Sequence, residues 1–299
     1  MPDGSVRVVY AALAGNILVA ASKYAAAGLS GSSAMLTEAI HSTADSANQI
    51  LLLIGNRRSK APADQTHNFG YGAEIYFWTS IVAVLVLLVG GALSLVQGVQ
   101  QIRSPRPVES FLVAVGVLAL SALIEGGSFL VGQREVRKVV RRHRPTGDTI
   151  GFWEFIKQSK DPNLYESQLE DGAALVGVGI ALVGILANAL LGWLWADGAA
   201  SCAIGVLLIA NALIILGATR NLVAGESVAP VIRAKLLDVL AGQNPQVTKV
   251  ETLHLGPRSI LVALTFAEAI ATIAEPDLDR LVRGIRNVDD RIKHVLFRA

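Results

Sequence analysis

Met35-Leu-Thr-Glu-Ala-Ile-His-Ser-Thr-Ala-Asp-Ser-Ala-Asn48 runs directly into Gln49-Ile-Leu-Leu-Leu-Ile54, and the chain's fold and chemistry are organised around this stretch. It predicts one helix carrying Glu38, His41 and Asp45 into an apolar environment. Residues four apart on a helix lie one turn above each other on the same face. His41 and Asp45 therefore project side by side, with Glu38 about one turn further back. Ionisable groups inside a membrane span are costly and mark a functional site by default. An imidazole beside a carboxylate is half of a divalent-metal site and suits zinc. The alternative is a capped helix start whose His and Asp pair with a neighbouring helix. Three such residues on one face, with further intramembrane acids downstream, favour the metal reading.

Working outward, the 299 residues are 52% hydrophobic and 17% charged, with a mean hydropathy of +0.49. That is too apolar for an ordinary soluble protein and indicates a polytopic membrane protein with a soluble portion. The formal net charge is only +2, so the placement of basic residues matters more than their total. Cys202 is the single cysteine, which excludes an intramolecular disulfide and a thiolate metal cluster. The N-terminus enters its first apolar run without a small-residue cleavage site, so an uncleaved first span is expected. No nucleic-acid-binding module is visible.

Six apolar stretches of about 20 residues are each long enough to cross roughly 30 Å of hydrocarbon. They lie near Val6–Leu29, Ala34–Gly55, Ala73–Gln97, Ser110–Gly132, Asp171–Leu194 and Ala199–Leu216. Arg57, Arg58 and Lys60 follow the second, Arg134 to Arg144 and Lys157 and Lys160 follow the fourth, and Arg220 follows the sixth. The positive-inside rule then places both termini in the cytoplasm, with the basic residues also facing lipid headgroups. Gly and Ala are frequent in the spans, which lets helix backbones approach closely. Proline is essentially absent from them, so straight helices carrying side-chain ligands are expected rather than broken ones.

Near Ala224 the composition becomes that of a small soluble domain. Val228–Leu240 and the stretch opened by Glu275-Pro-Asp read as helices. Gln246–Leu255, Ser259–Glu268 and Lys293–Arg298 read as strands, with Ile260, Val262, Leu264 and Phe266 alternating toward one face. The order α-β-β-α-β suggests a two-layer α+β, ferredoxin-like domain. The expected architecture is a six-transmembrane-helix bundle over residues 1–222 and a cytoplasmic α+β domain over 223–299.

Further acids lie at or in the bundle: Glu74, Glu125, Glu170, Asp171 and Asp197. An acid-rich interior with apolar walls attracts cations. If the second and fifth helices pack together, Asp171 meets His41 and Asp45, and a tetrahedral ion then needs a fourth ligand.

These residues resemble the cation diffusion facilitator family of divalent-metal exporters. The resemblance is carried by Ser33 to Asp45, by Asn68-Phe-Gly-Tyr-Gly-Ala-Glu-Ile-Tyr76, by Glu170-Asp-Gly-Ala-Ala-Leu-Val-Gly177 and by Ala196-Asp-Gly-Ala-Ala-Ser201. The chain is most similar to the branch containing the mitochondrial zinc transporter of animals and many bacterial relatives. The resemblance implies six spans, a cytoplasmic metallochaperone-like domain and a homodimer, and it implies no prosthetic group. It also implies a transport site of His or Asp plus Asp from the second span and His plus Asp from the fifth. His41, Asp45 and Asp171 match that pattern, and Ser167 stands where the family has histidine. The fourth ligand is then Glu170, Gln168 or a water. A site richer in oxygen admits Mn²⁺, Fe²⁺ or Co²⁺ beside Zn²⁺. Glu38 and Glu125 are secondary acidic candidates, Glu125 as a proton-handling acid or as a helix-packing partner. His67, His143, His254 and His294 stand apart, and Glu251 occupies a position that is His in some relatives.

The function expected is divalent-cation efflux, Zn²⁺ foremost, by metal/H⁺ antiport. Metal binding requires deprotonated ligands, so protons and metal exclude each other, and an imidazole exchanges them near neutral pH. An intramembrane metalloenzyme, or a metal-binding protein without flux, would use the same ligands. The membrane expected is a prokaryotic inner membrane.

Overall fold

The computed structural model describes residues 3–143, 161–243, 247–267 and 275–298. Contacts divide the chain into two compact units. The first is Met1–Leu53, Thr79–Phe155 and Asn163–Gly217, and the second is Ile54–Trp78, Ile156–Pro162 and Ala218–Ala299.

In the first unit, α1 (Asp3–Ser30) turns into α2 (Ser33–Arg58) through a two-residue break. Gly31 makes that break possible. It sits at φ +65° and donates its N–H to Ala27 O at 2.9 Å, an αL helix stop that an L side chain resists. The third long helix is composite: α3 (Glu74–Leu85), a π-helical stretch over Val86–Ala92, and α4 (Leu93–Arg103). Then follow α5 (Phe111–His143), α6 (Pro162–Leu191) and α7 (Ala196–Ala224). Among the described residues, Glu74–Arg103, Phe111–Lys138, Pro162–Leu191 and Ala196–Ala224 are long and apolar enough to cross a membrane. α2 is 26 residues long, but Glu38, His41, Asp45, Asn48 and its closing arginines dilute its apolar character.

Two expectations change here. α6 begins at Pro162, nine residues before the predicted start at Asp171, because Asp161-Pro162 is a helix-start pair with proline in the first turn. Glu166, Ser167 and Gln168 are thereby helical. The third long helix is also not α-helical throughout. With 3.6 residues per turn, Val82 and Gly98 would face about 160° apart, yet both are buried. The wider i→i+5 turns of the π stretch absorb that difference.

The second half of this helix packs on α7 through glycines. A Cβ on Gly98 would lie 2.7 Å from both Cys202 N and Gly198 O, and one on Gly205 would lie 3.0 Å from Gly91 O. Spaced seven apart on both helices, the glycines bring backbone against backbone.

In the second unit, α8 (Pro230–Gln243), β1 (Val247–Gly256), β2 (Ser259–Phe266), α9 (Glu275–Val288) and β3 (Ile292–Arg298) follow in order. The sheet order is β1-β2-β3, with β1 antiparallel to β2 and β3 parallel to it. Ile260, Val262, Leu264 and Phe266 share a core with Ile232, Leu236 and Leu240 of α8 and Leu281 and Ile285 of α9. Both helices therefore cover one sheet face, the one the alternation predicts.

The loop before α3 is tied by Asp64, which accepts hydrogen bonds from Thr66 N, Thr66 Oγ1, His67 N and Tyr71 Oη. Its Phe-Gly-Tyr-Gly segment meets the β1–β2 hairpin. Phe69 lies edge-on to His294 at 5.3 Å. A Cβ on Gly72 would sit 2.5 Å from Leu255 O, and one on Gly256 would sit 2.6 Å from Gly72 O. Only glycine fits at that crossing.

Candidate metal site

α2 is fixed at its N-terminus by another helix. The first N–H groups of a helix lack intrahelical partners and attract an acceptor. Asp197, in the first turn of α7, supplies it: its carboxylate accepts from Ser33 N at 2.6 Å, Ser33 Oγ at 2.9 Å and Ala34 N at 3.4 Å, and from the Ser32 hydroxyl. One turn on, Thr37 Oγ1 meets Ser201 Oγ at 2.5 Å. Asp197 is therefore a capping group, not a member of a cation site, although it belongs to the same set of acids in the sequence.

Held this way, α2 points Asp45 into a cavity of about 70 Å³ lined also by Ser42, Glu125, Ser128, Glu170 and Asp171. A single water needs only ~10–15 Å³ of such space. α6 contributes Glu170 and Asp171, and α5 contributes Glu125 and Ser128. The Asp45 and Glu170 carboxyl groups line the same cavity. Glu170 Oε1 accepts from Asn48 Nδ2 at 2.6 Å, and Asp171 Oδ2 accepts from Ser128 Oγ at 3.0 Å. Asp45 Oδ1 is buried without a hydrogen bond.

His41 is 1% exposed, with Nδ1 3.3 Å from Asp45 Oδ1, yet neither ring nitrogen has hydrogen-bond geometry to any group. It stands beside the cavity rather than in its wall. Ser167 is half-buried on α6 and outside the cavity lining. Gln168 turns to α5, where its Nε2 occupies the space a Gly132 side chain would need. The structure thus brings Asp45, Glu170 and Asp171 together and leaves His41, Ser167 and Gln168 to the side. Among the described residues, no three His, Cys, Asp or Glu side chains stand close enough to hold an ion as they are now arranged.

Glu38 and Glu125 belong to a buried ion-pair network. Lys23 Nζ donates to Glu38 Oε2 at 3.1 Å, Ser42 Oγ at 2.8 Å and Glu125 Oε1 at 2.9 Å. Sequence reasoning assigned Lys23 no role. The available signal was a lysine deep in an apolar run, which requires a buried counter-charge. Glu166 was missed as well: it is 1% exposed, with both carboxylate oxygens unpartnered.

The remaining polar candidates lie in the second unit. His254 is in β1 and His294 in β3. Glu251 is exposed and paired with Lys249 at 2.7 Å and Arg298 at 3.0 Å; these partners hold its carboxyl below the usual range, Lys249 foremost.

Among the described residues, four helices long and apolar enough to cross a membrane and a carboxylate-lined cavity walled by α1, α2, α5 and α6 define a membrane protein with a polar site inside its helical unit. The chain belongs to the cation efflux family, the cation diffusion facilitators: residues 9–219 match the cation efflux transmembrane domain. It is 31% identical over 294 residues, 95% of this chain and 50% of the relative, to "Proton-coupled zinc antiporter SLC30A9, mitochondrial" of Homo sapiens. It is 33% identical over 240 residues, 80% of this chain and 51% of the relative, to "Metal tolerance protein C4" of Arabidopsis thaliana. It is 26% identical over 231 residues, 76% of this chain and 65% of the relative, to "Zinc transporter ZitB" of Escherichia coli (strain K12). The chain thus spans about half the length of the mitochondrial and plant relatives. It is a membrane protein of a family whose matched relatives are named as transporters.

Proposed function

We propose that this protein exports a divalent metal cation, Zn²⁺ foremost, in exchange for protons. One observation carries the reading: carboxylates from α2, α5 and α6 line one small cavity. Asp45, Asp171 and Glu170 would take the ion. Glu170 stands in for the histidine that Ser167 replaces, and His41 completes the set by a side-chain rotation that costs it no hydrogen bond. Metal binding requires these ligands deprotonated, so loading metal displaces protons and protons expel metal. The proton-coupled relative supports this cycle.

In this reading residues 1–222 form the six-span bundle, with α1 and α2 crossing the membrane beside the four strongly apolar helices. Residues 223–299 form a cytoplasmic, ferredoxin-like, metallochaperone-like domain that pairs two protomers, since two-fold dimers are the commonest closed assembly. Both termini are cytoplasmic, and the membrane is a prokaryotic inner membrane. A second reading rests on the cavity lining itself, which contains carboxylates and hydroxyls but no imidazole. Such a set suits Mn²⁺, Fe²⁺ or Co²⁺.

Proteoliposomes holding the full chain, given Zn²⁺, Mn²⁺, Co²⁺ or Fe²⁺ against an imposed pH gradient, test both readings. Metal flux should depend on the gradient and vanish in Asp45→Ala and Asp171→Ala. Normal flux in either variant refutes the site, and a rank order with Mn²⁺ above Zn²⁺ selects the second reading.

A further inference from the structure

Among the described residues, Lys23 is the one lysine or arginine that is fully buried. Its ammonium makes three hydrogen bonds, to Glu38, Ser42 and Glu125. Two of those partners, Ser42 and Glu125, also line the cavity that holds Asp45, Glu170 and Asp171, whereas Glu38 does not. Glu125 is divided between the two settings. Its Oε1 accepts from Lys23 at 2.9 Å and from Ser121 Oγ at 2.8 Å, while its Oε2 is buried with no partner. A buried carboxylate oxygen left without a hydrogen bond is costly unless something else visits it. Glu38 also keeps a buried, unpartnered oxygen, but this one lies against Gly177, where a Cβ would come within 2.6 Å of it.

We propose that Lys23 is a tethered competitor for the transported ion. With the cavity empty of metal, Lys23 holds Glu125. A divalent ion entering between Asp45 and Asp171 draws Glu125 onto itself through the free oxygen, leaving Lys23 to Glu38 and Ser42. When Glu125 returns to Lys23, the ion loses a ligand and gains a repelling neighbour, which speeds its release. Lys23 is thus a positioning residue that keeps metal affinity low enough for turnover, and Glu38 anchors it. This inference rests on the metal reading given above.

Two double variants separate it from a packing role, because each removes one positive and one negative charge. Lys23→Met/Glu38→Gln leaves Glu125 free beside the cavity. Zn²⁺ uptake by proteoliposomes of the full chain should then show an apparent KM at least about tenfold lower, with a reduced kcat, on the scale by which outer-shell partners tune metal affinity. Lys23→Met/Glu125→Gln removes the migrating ligand, and its KM should rise. If both doubles shift KM in the same direction, or not at all, the proposal is overturned. Should the first double fail to accumulate as folded protein, Glu125→Gln alone decides. It should raise KM severalfold while keeping the wild-type elution profile, and an unchanged KM overturns the proposal. Wild type and Asp171→Asn, measured alongside, report on the underlying reading. Absence of Zn²⁺ uptake by wild type sinks that reading and this one together. Uptake that Asp171→Asn abolishes, with the two doubles alike, sinks only the role of Lys23.

Discussion

The glycine contact between α4 and α7 yields a prediction whose size follows from the geometry. A Cβ on Gly98 would sit 2.5 Å from Cys202 Sγ and 2.7 Å from Cys202 N and Gly198 O. The sulfur can rotate away; the other two atoms are backbone. Since non-bonded heavy atoms rest about 3.5–4.0 Å apart, the helices must separate by nearly an ångström. That opens the neighbouring Gly91–Gly205 contact too. Gly98→Val should therefore cost about 2–3 kcal/mol, the upper part of the overpacking range. Gly217→Val is the matched control: it makes the same change within α7, where nothing lies within 4 Å of the added atom. The helix-propensity gain is common to both and amounts to a few tenths of a kcal/mol. Thermal unfolding of the two purified variants in the same detergent should separate them by several degrees, at about 2–4 °C per kcal/mol. Equal melting temperatures would refute the claim that these backbones touch.

Ser167→His restores the fifth-span histidine of the family pattern, and flux measurements should show the Zn²⁺-over-Mn²⁺ preference rising severalfold; an unchanged ratio means that residue 167 does not reach the ion in any state. Asp197→Ala strips the acceptor from the start of α2 and should cost about 1–3 kcal/mol, visible as faster hydrogen exchange at the Ser33 and Ala34 amides. Asp64 is held well below the usual carboxylate range, first by the Tyr71 hydroxyl and then by Thr66 and the His67 N–H. A depressed folded value contributes stability that is full above the unfolded value and is lost only as pH falls through the folded one. The Thr66 and His67 amide shifts should therefore hold through pH 3.8, the ordinary Asp value, and a change centred there counts against this loop structure.

The legible parts of the chain were those set by local spacing. His41 and Asp45 stand 3.3 Å apart because four residues make about one helical turn, and Ile260, Val262, Leu264 and Phe266 face the core because strands alternate. The illegible parts depend on which helices become neighbours. Asp197 reads as one more acid near a span, and only the meeting of α7 with the start of α2 turns it into a cap. Lys23 needs partners from α2 and α5, more than a hundred residues apart for the most distant pair. The cavity excludes His41 because side-chain rotation, not spacing, decides which atoms line a space of that size. The π stretch is hidden because Val86–Ala92 is uniformly apolar, so no polar residue marks the change of face.

Where Gly72 crosses Gly256, main chain lies on main chain with no side chain between to act as a cushion. A joint of that kind has no slack. The hairpin cannot slide without dragging the segment that leads, two residues later, into Glu74 and the foot of the third long helix. Whatever settles on the C-terminal sheet thus acts directly on Gly72 and the turn that opens α3.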